Sequence, residues 1–268
     1  MKLGIDLSLS GRSASSVTYE TEATDYFAAM SVAPDATRKG HLNTLIASLK
    51  SAGVWSKLDV LMIIAAHDAQ AARINAKTPS LVATAVNSPT FTTDRGYVGD
   101  GATSYLNTQF NPTTATTPQY ALNSAHMGIW CGTTGGTSGA ICGAVRGYIN
   151  PRNATANINA NVNAVATEAY TPTVATSVGH TMWVRSGASA TACYKNGAAN
   201  GTSTTASTAI PNAKFFLCAY NNSTTDGTTP AAYLVHRVQA FHCGSALNST
   251  EATALYNALA THMTAVGA

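Results

Sequence analysis

From Pro79 onward the chain consists of short segments rich in Val, Tyr, Thr, Phe and Trp, separated by clusters of Gly, Asn, Pro and Ser at intervals of about 8 to 15 residues. Many short strands with such turn punctuation mean a sandwich or barrel. The predicted strands are 104–108, 126–131, 140–149, 181–185, 191–195, 214–220 and 233–242.

The text before Pro79 has a different character. Residues 1–30 are Ser/Thr-rich, lack a sustained period, and read as an arm. Its apolar cluster Tyr26, Phe27 and Met30 is expected to need the surface of another chain for assembly. Residues 31–80 read as a helical segment. Leu42, Leu45, Ile46 and Leu49 fall at i, i+3, i+4 and i+7 ahead of Gly53, which predicts a helix over 35–51. The stretch 58–72 is Ala-rich without Gly or Pro and predicts a second helix, although Val60 to Ile64 also fits a buried strand. The third unit, 81–268, is the β region with a closing helix. Asn248 and Glu251 have capping-box spacing, and Ala252, Leu255, Tyr256, Leu259, Met263 and Val266 make one apolar stripe.

Composition narrows the function classes. Charged residues are only 10% of the chain, and of fifteen basic residues only Arg38 and Lys39 are adjacent, so no basic groove for nucleic acid is expected. No run of 18 apolar residues is present, so no membrane insertion is expected. Asp6 interrupts the N-terminal text before an apolar signal region can form, which implies synthesis in a cytoplasm. The five cysteines, at 131, 142, 193, 218 and 243, show no metal-binding spacing and read as reduced, buried thiols.

The order of segments resembles a laminin G-like, concanavalin A-like domain. Asp100 to Thr108 is similar to the opening strand of that family, Ala125 to Trp130 to its "ala-trp" strand, and Gly179 to Arg185 to its "trp-his-hydrophobic" strand. Cys193-Tyr194-Lys195-Asn196-Gly197 resembles its hairpin, and Val235 to Phe241 with the capped helix resembles its end. The resemblance covers residues 95 to 266 and implies a mainly β, concanavalin A-like jelly-roll β-sandwich with an N-terminal arm, a helical segment before it and a C-terminal helix. Segments 54–59, 65–70 and 85–91 resemble those that precede such sandwiches in tailed-bacteriophage virion proteins. That implies a fibre, decoration or tail-associated component, with other virion proteins and sister copies as partners in a homo-oligomer and the virion as its location.

Chemistry in the β region is sparse. A glycosidase needs two carboxylates about the scissile bond. Between residues 101 and 250 the only ones are Glu168 and Asp226, in loop-like text. No enzyme activity is expected, a polysaccharide depolymerase being the weakest reading. Histidine is the commonest acid/base, but His180 reads as structural, and His236 and His242 lie on an edge-like final strand without a nucleophile motif. No cofactor is expected, and Asp100 and Asp226 are the only calcium candidates. Tyr220, Asn221, Asn222 and Asp226 combine loop amides with an aromatic ring, the residue types of a carbohydrate site. The expected function is thus a structural virion protein displaying its sandwich on the particle surface, with a carbohydrate-binding adhesin for a bacterial surface glycan as the alternative.

Overall fold

The computed structural model describes residues 17–133 and 142–268. Residues 1–16 of the expected arm and the first two residues of predicted strand 140–149 lie outside the described residues. Two sheets face one another, antiparallel except where Asn221 pairs with Ala144, and they make the sandwich that the punctuation after Pro79 predicts. The first runs in the order Ala198–Ser203, Ala190–Lys195, Gly179–Gly187, Ala125–Cys131, Arg237–Gly244, Gly96–Val98 and Thr90–Thr92, and Leu58–Ile63 also pairs with Arg237–Gly244. The second runs Glu168–Tyr170, Ile158–Val162, Gly147–Asn150, Cys142–Ala144, Phe216–Leu217, Tyr105–Asn107 and Thr84–Val86, and the pair Tyr220–Asn221 and Pro230–Ala231 joins it at Cys142–Ala144.

Side chains alternate across each strand, and the alternation assigns the faces. In Gly179–Gly187, Trp183 and Arg185 point between the sheets: the Trp183 Nε1 donates to the Tyr148 carbonyl (3.1 Å) and the Arg185 Nε to the Val162 carbonyl (2.6 Å), both on the second sheet. The intervening His180, Met182 and Val184 point the other way and are buried too. Both faces of the first sheet are therefore covered. In the second sheet Ile158, Ala160 and Val162 are fully buried, whereas Asn159 and Tyr148 lie at the opposite, partly open face. The five cysteines are buried with free thiols.

A charged link crosses the sandwich interior. Arg185 and Glu168 pair at 3.5 Å with both side chains at most 1% exposed. Glu168 also accepts from Tyr170 Oη (2.7 Å) and Thr191 Oγ1 (2.7 Å), and Arg185 donates to the Ala188 (2.9 Å) and Thr205 (3.0 Å) carbonyls. A buried ion pair survives only with such a full set of hydrogen bonds.

Three helices cover the outer face of the first sheet and its flank: α1 (Thr21–Ala28), α2 (Ala36–Ser51) and α3 (Ser249–Val266). Asp35 caps α2 by accepting from the Arg38 N–H, and Leu42, Leu45, Ile46 and Leu49 are its buried stripe. Asn248 and Glu251 form the complete capping box of α3, whose buried residues include Ala252, Leu255, Leu259 and Met263. α3 packs against α2, and its Tyr256 ring stacks on Trp130 of the first sheet (5.9 Å between centroids, 6° between planes).

Two sequence expectations change here. The stretch expected to be a second helix begins as the strand Leu58–Ile63, hydrogen-bonded along Ala240 to Gly244. Five of its six residues are buried apolar side chains, Asp59 being the exception, and a sheet neighbour decides what a short apolar run leaves open. The cluster expected to await another chain is covered by its own: Tyr26 is 1% and Met30 8% exposed within the main core, and α1 packs on α2, with Phe27 half-buried. The length of α1 falls below what helical periodicity can reveal.

Candidate functional site

The concavities among the described residues include two of several hundred Å³. The larger, of about 570 Å³, lies between the 3-10 turn Trp55–Lys57 and the loop 111–119 and contains Asp59, Lys77 and Asn111. Its two charged groups and Asn111 are already engaged. The Asp59 carboxylate accepts the Gln119 (2.7 Å) and Tyr120 (2.8 Å) N–H groups, and burial raises its pKa. Lys77 donates to the Trp55 carbonyl (3.0 Å) and sits 5.1 Å from the centroid of that ring, with burial lowering its pKa. Asn111 donates to Asp226 (2.9 Å). The aromatic ring in the lining, Phe110, is 5% exposed and offers no stacking face.

The smaller concavity, of about 430 Å³, lies on the outer face of the second sheet. Tyr148 comes from Gly147–Asn150, Asn161 from Ile158–Val162 and Tyr220 from Tyr220–Asn221, and Val165 and Thr167 form a rim. The two tyrosine rings meet edge to face, 5.6 Å apart at 81°. The Tyr148 hydroxyl is bonded to Thr167 Oγ1 (2.7 Å), and Asn161 is occupied by Val165 and Ala164. Burial, with Tyr148 adding to it, pushes the Tyr220 hydroxyl up to about 12, so it stands as a neutral donor.

Arg146 sits at the tip of the two-residue hairpin turn joining Cys142–Ala144 to Gly147–Asn150, with a left-handed φ of 68°. The turn is held on both sides: the Val145 N–H donates to the Asn221 carbonyl (3.1 Å), and the Arg146 carbonyl accepts the Asn163 N–H (2.7 Å). The Arg146 Nε is buried without a hydrogen-bond partner among the described residues. Among the described residues the cleft is thus lined by one cation and two aromatic rings, and by no carboxylate.

Of the sequence-derived carbohydrate candidates, Tyr220 lines this cleft. Asn221 is fully buried instead. Its amide donates to the Lys214 (3.0 Å) and Gly227 (3.1 Å) carbonyls and its oxygen accepts from Ser223 and Thr229, so it holds the loop that carries Tyr220. Asn222 and Asp226 are exposed outside the cleft lining, Asp226 facing Asn111 and Lys214. The calcium candidate Asp100 accepts four hydrogen bonds from its own loop, from the Ala102, Thr103 and Ser104 N–H groups and the Thr103 hydroxyl. These hold its carboxyl well below the usual range. Arg146, Tyr148 and Asn161 were missed because the signal is a pattern across three strands, which sequence distance conceals.

The histidines on the first sheet lie beneath α3. The final strand is interior, paired with Ala125–Cys131 on one side and with Leu58–Ile63 and Gly96–Val98 on the other, rather than at an edge. His180 and His242 share a hydrogen bond (Nε2···Nε2 2.8 Å), and the His126 ring lies 5.2 Å from His242. All three are fully buried, and a β-carbon on Gly128 would meet the His242 ring at 2.3 Å. Desolvation holds His126 down to about 4 and His180 to about 3, with Lys195 contributing at His180. Their rings pack structure rather than meet substrate. Glu168 is in the core, on a strand rather than in a loop, so Glu168 and Asp226 do not form a surface pair of carboxylates.

No protein family matches the sequence, and no curated protein does. Solved structures are similar in fold. They include the binding domain of Paraclostridial Mosquitocidal Protein 1 (TM-score 0.55, 10% identity, covering 76% of this chain and 53% of that one). A mutant of Trypanosoma rangeli sialidase displaying trans-sialidase activity aligns with TM-score 0.53 at 14% identity, over 84% of this chain and 38% of that one. The botulinum neurotoxin serotype D binding domain aligns with TM-score 0.50 at 8% identity, over 76% and 52%. The chain spans about two-fifths to half the length of these proteins. At such identities the likeness shows the fold, a jelly-roll-like β-sandwich, shared by sialidase chains and binding domains alike.

Proposed function

We propose that the chain is a non-catalytic component of a tailed-bacteriophage particle whose sandwich binds a carbohydrate of the bacterial surface. The observation that carries the binding half is the cleft on the second sheet, where the Tyr148 and Tyr220 rings flank an uncommitted Arg146. Sugars are recognised by apolar ring faces laid on aromatics together with a few placed polar groups. The helix-covered first sheet leaves the opposite face of the sandwich to meet a ligand. The virion half is supported by segments 54–59, 65–70 and 85–91, and by a surface that is low in charge and rich in hydroxyls and amides. Display on the particle and receptor binding are compatible in one chain. Catalysis forms no part of this reading, because the described residues lining the cleft bring no carboxylate beside its one cation.

Binding of the purified chain to an array of bacterial surface polysaccharides, alongside Tyr220→Ala, tests the first half. Selective binding that Tyr220→Ala abolishes supports it, and an array without any signal refutes it. A density map of the intact particle tests the second. The sandwich should be found on the outer surface, and a particle lacking this chain would remove the virion assignment.

A further inference from the structure

We infer that the ligand of the cleft is an acidic sugar, whose carboxylate is taken by Arg146 with the Tyr220 hydroxyl as a second donor. This rests on the carbohydrate reading and narrows it. The residues lining the cleft include one cation and no Asp or Glu. The nearest acid in sequence, Glu168, follows the rim residue Thr167 but points into the sandwich, where Arg185, Tyr170 and Thr191 consume it. Arg146 forms no ion pair among the described residues, and its Nε is withdrawn from water without a partner. A buried N–H left unpaired is costly, and a guanidinium is a planar fork matched to a carboxylate. A neutral sugar would leave that charge uncompensated.

The remaining polar groups sharpen the assignment. The Tyr148 and Thr167 hydroxyls are bonded to each other, and Asn161 already donates to Val165 and accepts from Ala164, so these side chains are partly committed. The Tyr220 hydroxyl is protonated at any physiological pH because burial holds it up at about 12. Two donors of this kind suit an anion and offer nothing to a cationic amino sugar, which would be repelled by Arg146.

The experiment uses uronic-acid-bearing bacterial capsular polysaccharides, each beside its carboxyl-reduced neutral counterpart, with the wild-type chain, Arg146→Gly and Arg146→Lys. Glycine is at home at the positive φ of this turn, so Arg146→Gly should melt no lower than wild type. Wild type should bind at least one acidic polymer, and reduction of its carboxyls should weaken binding about ten- to a hundredfold, the range of a charged hydrogen-bonded contact. Arg146→Gly should show the same loss, Arg146→Lys a smaller one, and added salt should weaken only the acidic polymer. Equal binding to an acidic polymer and its reduced form would overturn the acidic-sugar inference while leaving carbohydrate binding intact. Failure to bind any polymer, acidic or neutral, would overturn both.

Discussion

Acid should destabilise this protein through the histidines gathered under α3. His126 and His262 are held near 4 and His180 near 3 by burial, and His242 lies well below its ordinary value for the same reason. The unfolded chain protonates histidine near 6.5. The folded values are lower, so the folded state binds fewer protons. Stability is therefore undiminished above about pH 7.5 and falls as pH drops through 6.5, levelling only below the folded values. At pH 5 each histidine has passed about 1.5 pH units below its unfolded value, which costs about 2 kcal/mol. His126, His180 and His262 together then remove about 4 to 6 kcal/mol, a large share of an ordinary domain's total. Neighbouring charges act in both directions: Lys57 opposes and Glu251 favours protonation of His126, and Arg38 and His41 oppose while Asp94 favours that of His262. Asp59, raised by burial, works the other way at lower pH, and the depressed carboxyl of Asp100 loses its contribution only below the usual carboxylate range. Urea midpoints between pH 8 and pH 5 at constant ionic strength and unchanged m measure the effect. His262→Leu, which exchanges a buried ring on α3 for an apolar side chain, should match wild type within about 1 kcal/mol at pH 8 and exceed it by about 2 kcal/mol at pH 5. A midpoint that does not move with pH, or an acid slope that His262→Leu leaves unchanged, would refute the reasoning.

Five further substitutions probe the packing. Trp183→Ala removes a fully buried ring and one hydrogen bond to Tyr148, and should cost about 3–5 kcal/mol in denaturant titration; an unchanged midpoint would put the ring on the surface. Leu255→Ala should cost about 2–5 kcal/mol and Asn248→Ala about 1 kcal/mol, and amide exchange across 249–264 should be slow in wild type, whereas rapid exchange there would deny that α3 docks. Glu168→Ala leaves Arg185 buried without its counter-charge and should cost about 3–5 kcal/mol, with Glu168→Gln milder because Tyr170 and Thr191 keep an acceptor. Equal losses for the two would mean that charge plays no part.

The sequence made the repeated parts of the fold legible. Predicted strands 126–131, 181–185 and 191–195 match three adjacent strands of the first sheet, because aromatic and β-branched text buried on both faces leaves a strong local signal. α3 was readable from the capping-box spacing of Asn248 and Glu251 and the apolar stripe that follows them. Ala198–Ser203 was not, since an edge strand of Ala, Asn, Gly, Thr and Ser buries little and takes its shape from its neighbour. Ile158–Val162 alternates Ile, Ala and Val with Asn, a pattern too weak in Ala and Asn to stand out until the facing sheet covers one side. For the cleft, Tyr220 was legible as an aromatic beside loop amides. Arg146 was not, because a lone arginine in a turn becomes informative only when the space around it is seen to hold no acid.

The strand Leu58–Ile63 has a consequence for any attempt to shorten the protein. It lies along Ala240 to Gly244, about two-thirds of the chain's length away in sequence. A fragment beginning at the laminin G-like text, near residue 95, would keep α3 and all of the facing sheet but its edge strand Thr84–Val86, and would strip that flank, leaving a row of unpaired N–H and C=O groups beside Phe241 and Cys243. Such an uncovered border is a template for joining other chains. The fragment should then associate with itself unless a synthetic peptide of residues 58–64 is supplied to fill the gap. In that sense the N-terminal third is a built-in complement that lets the sandwich exist as a single molecule.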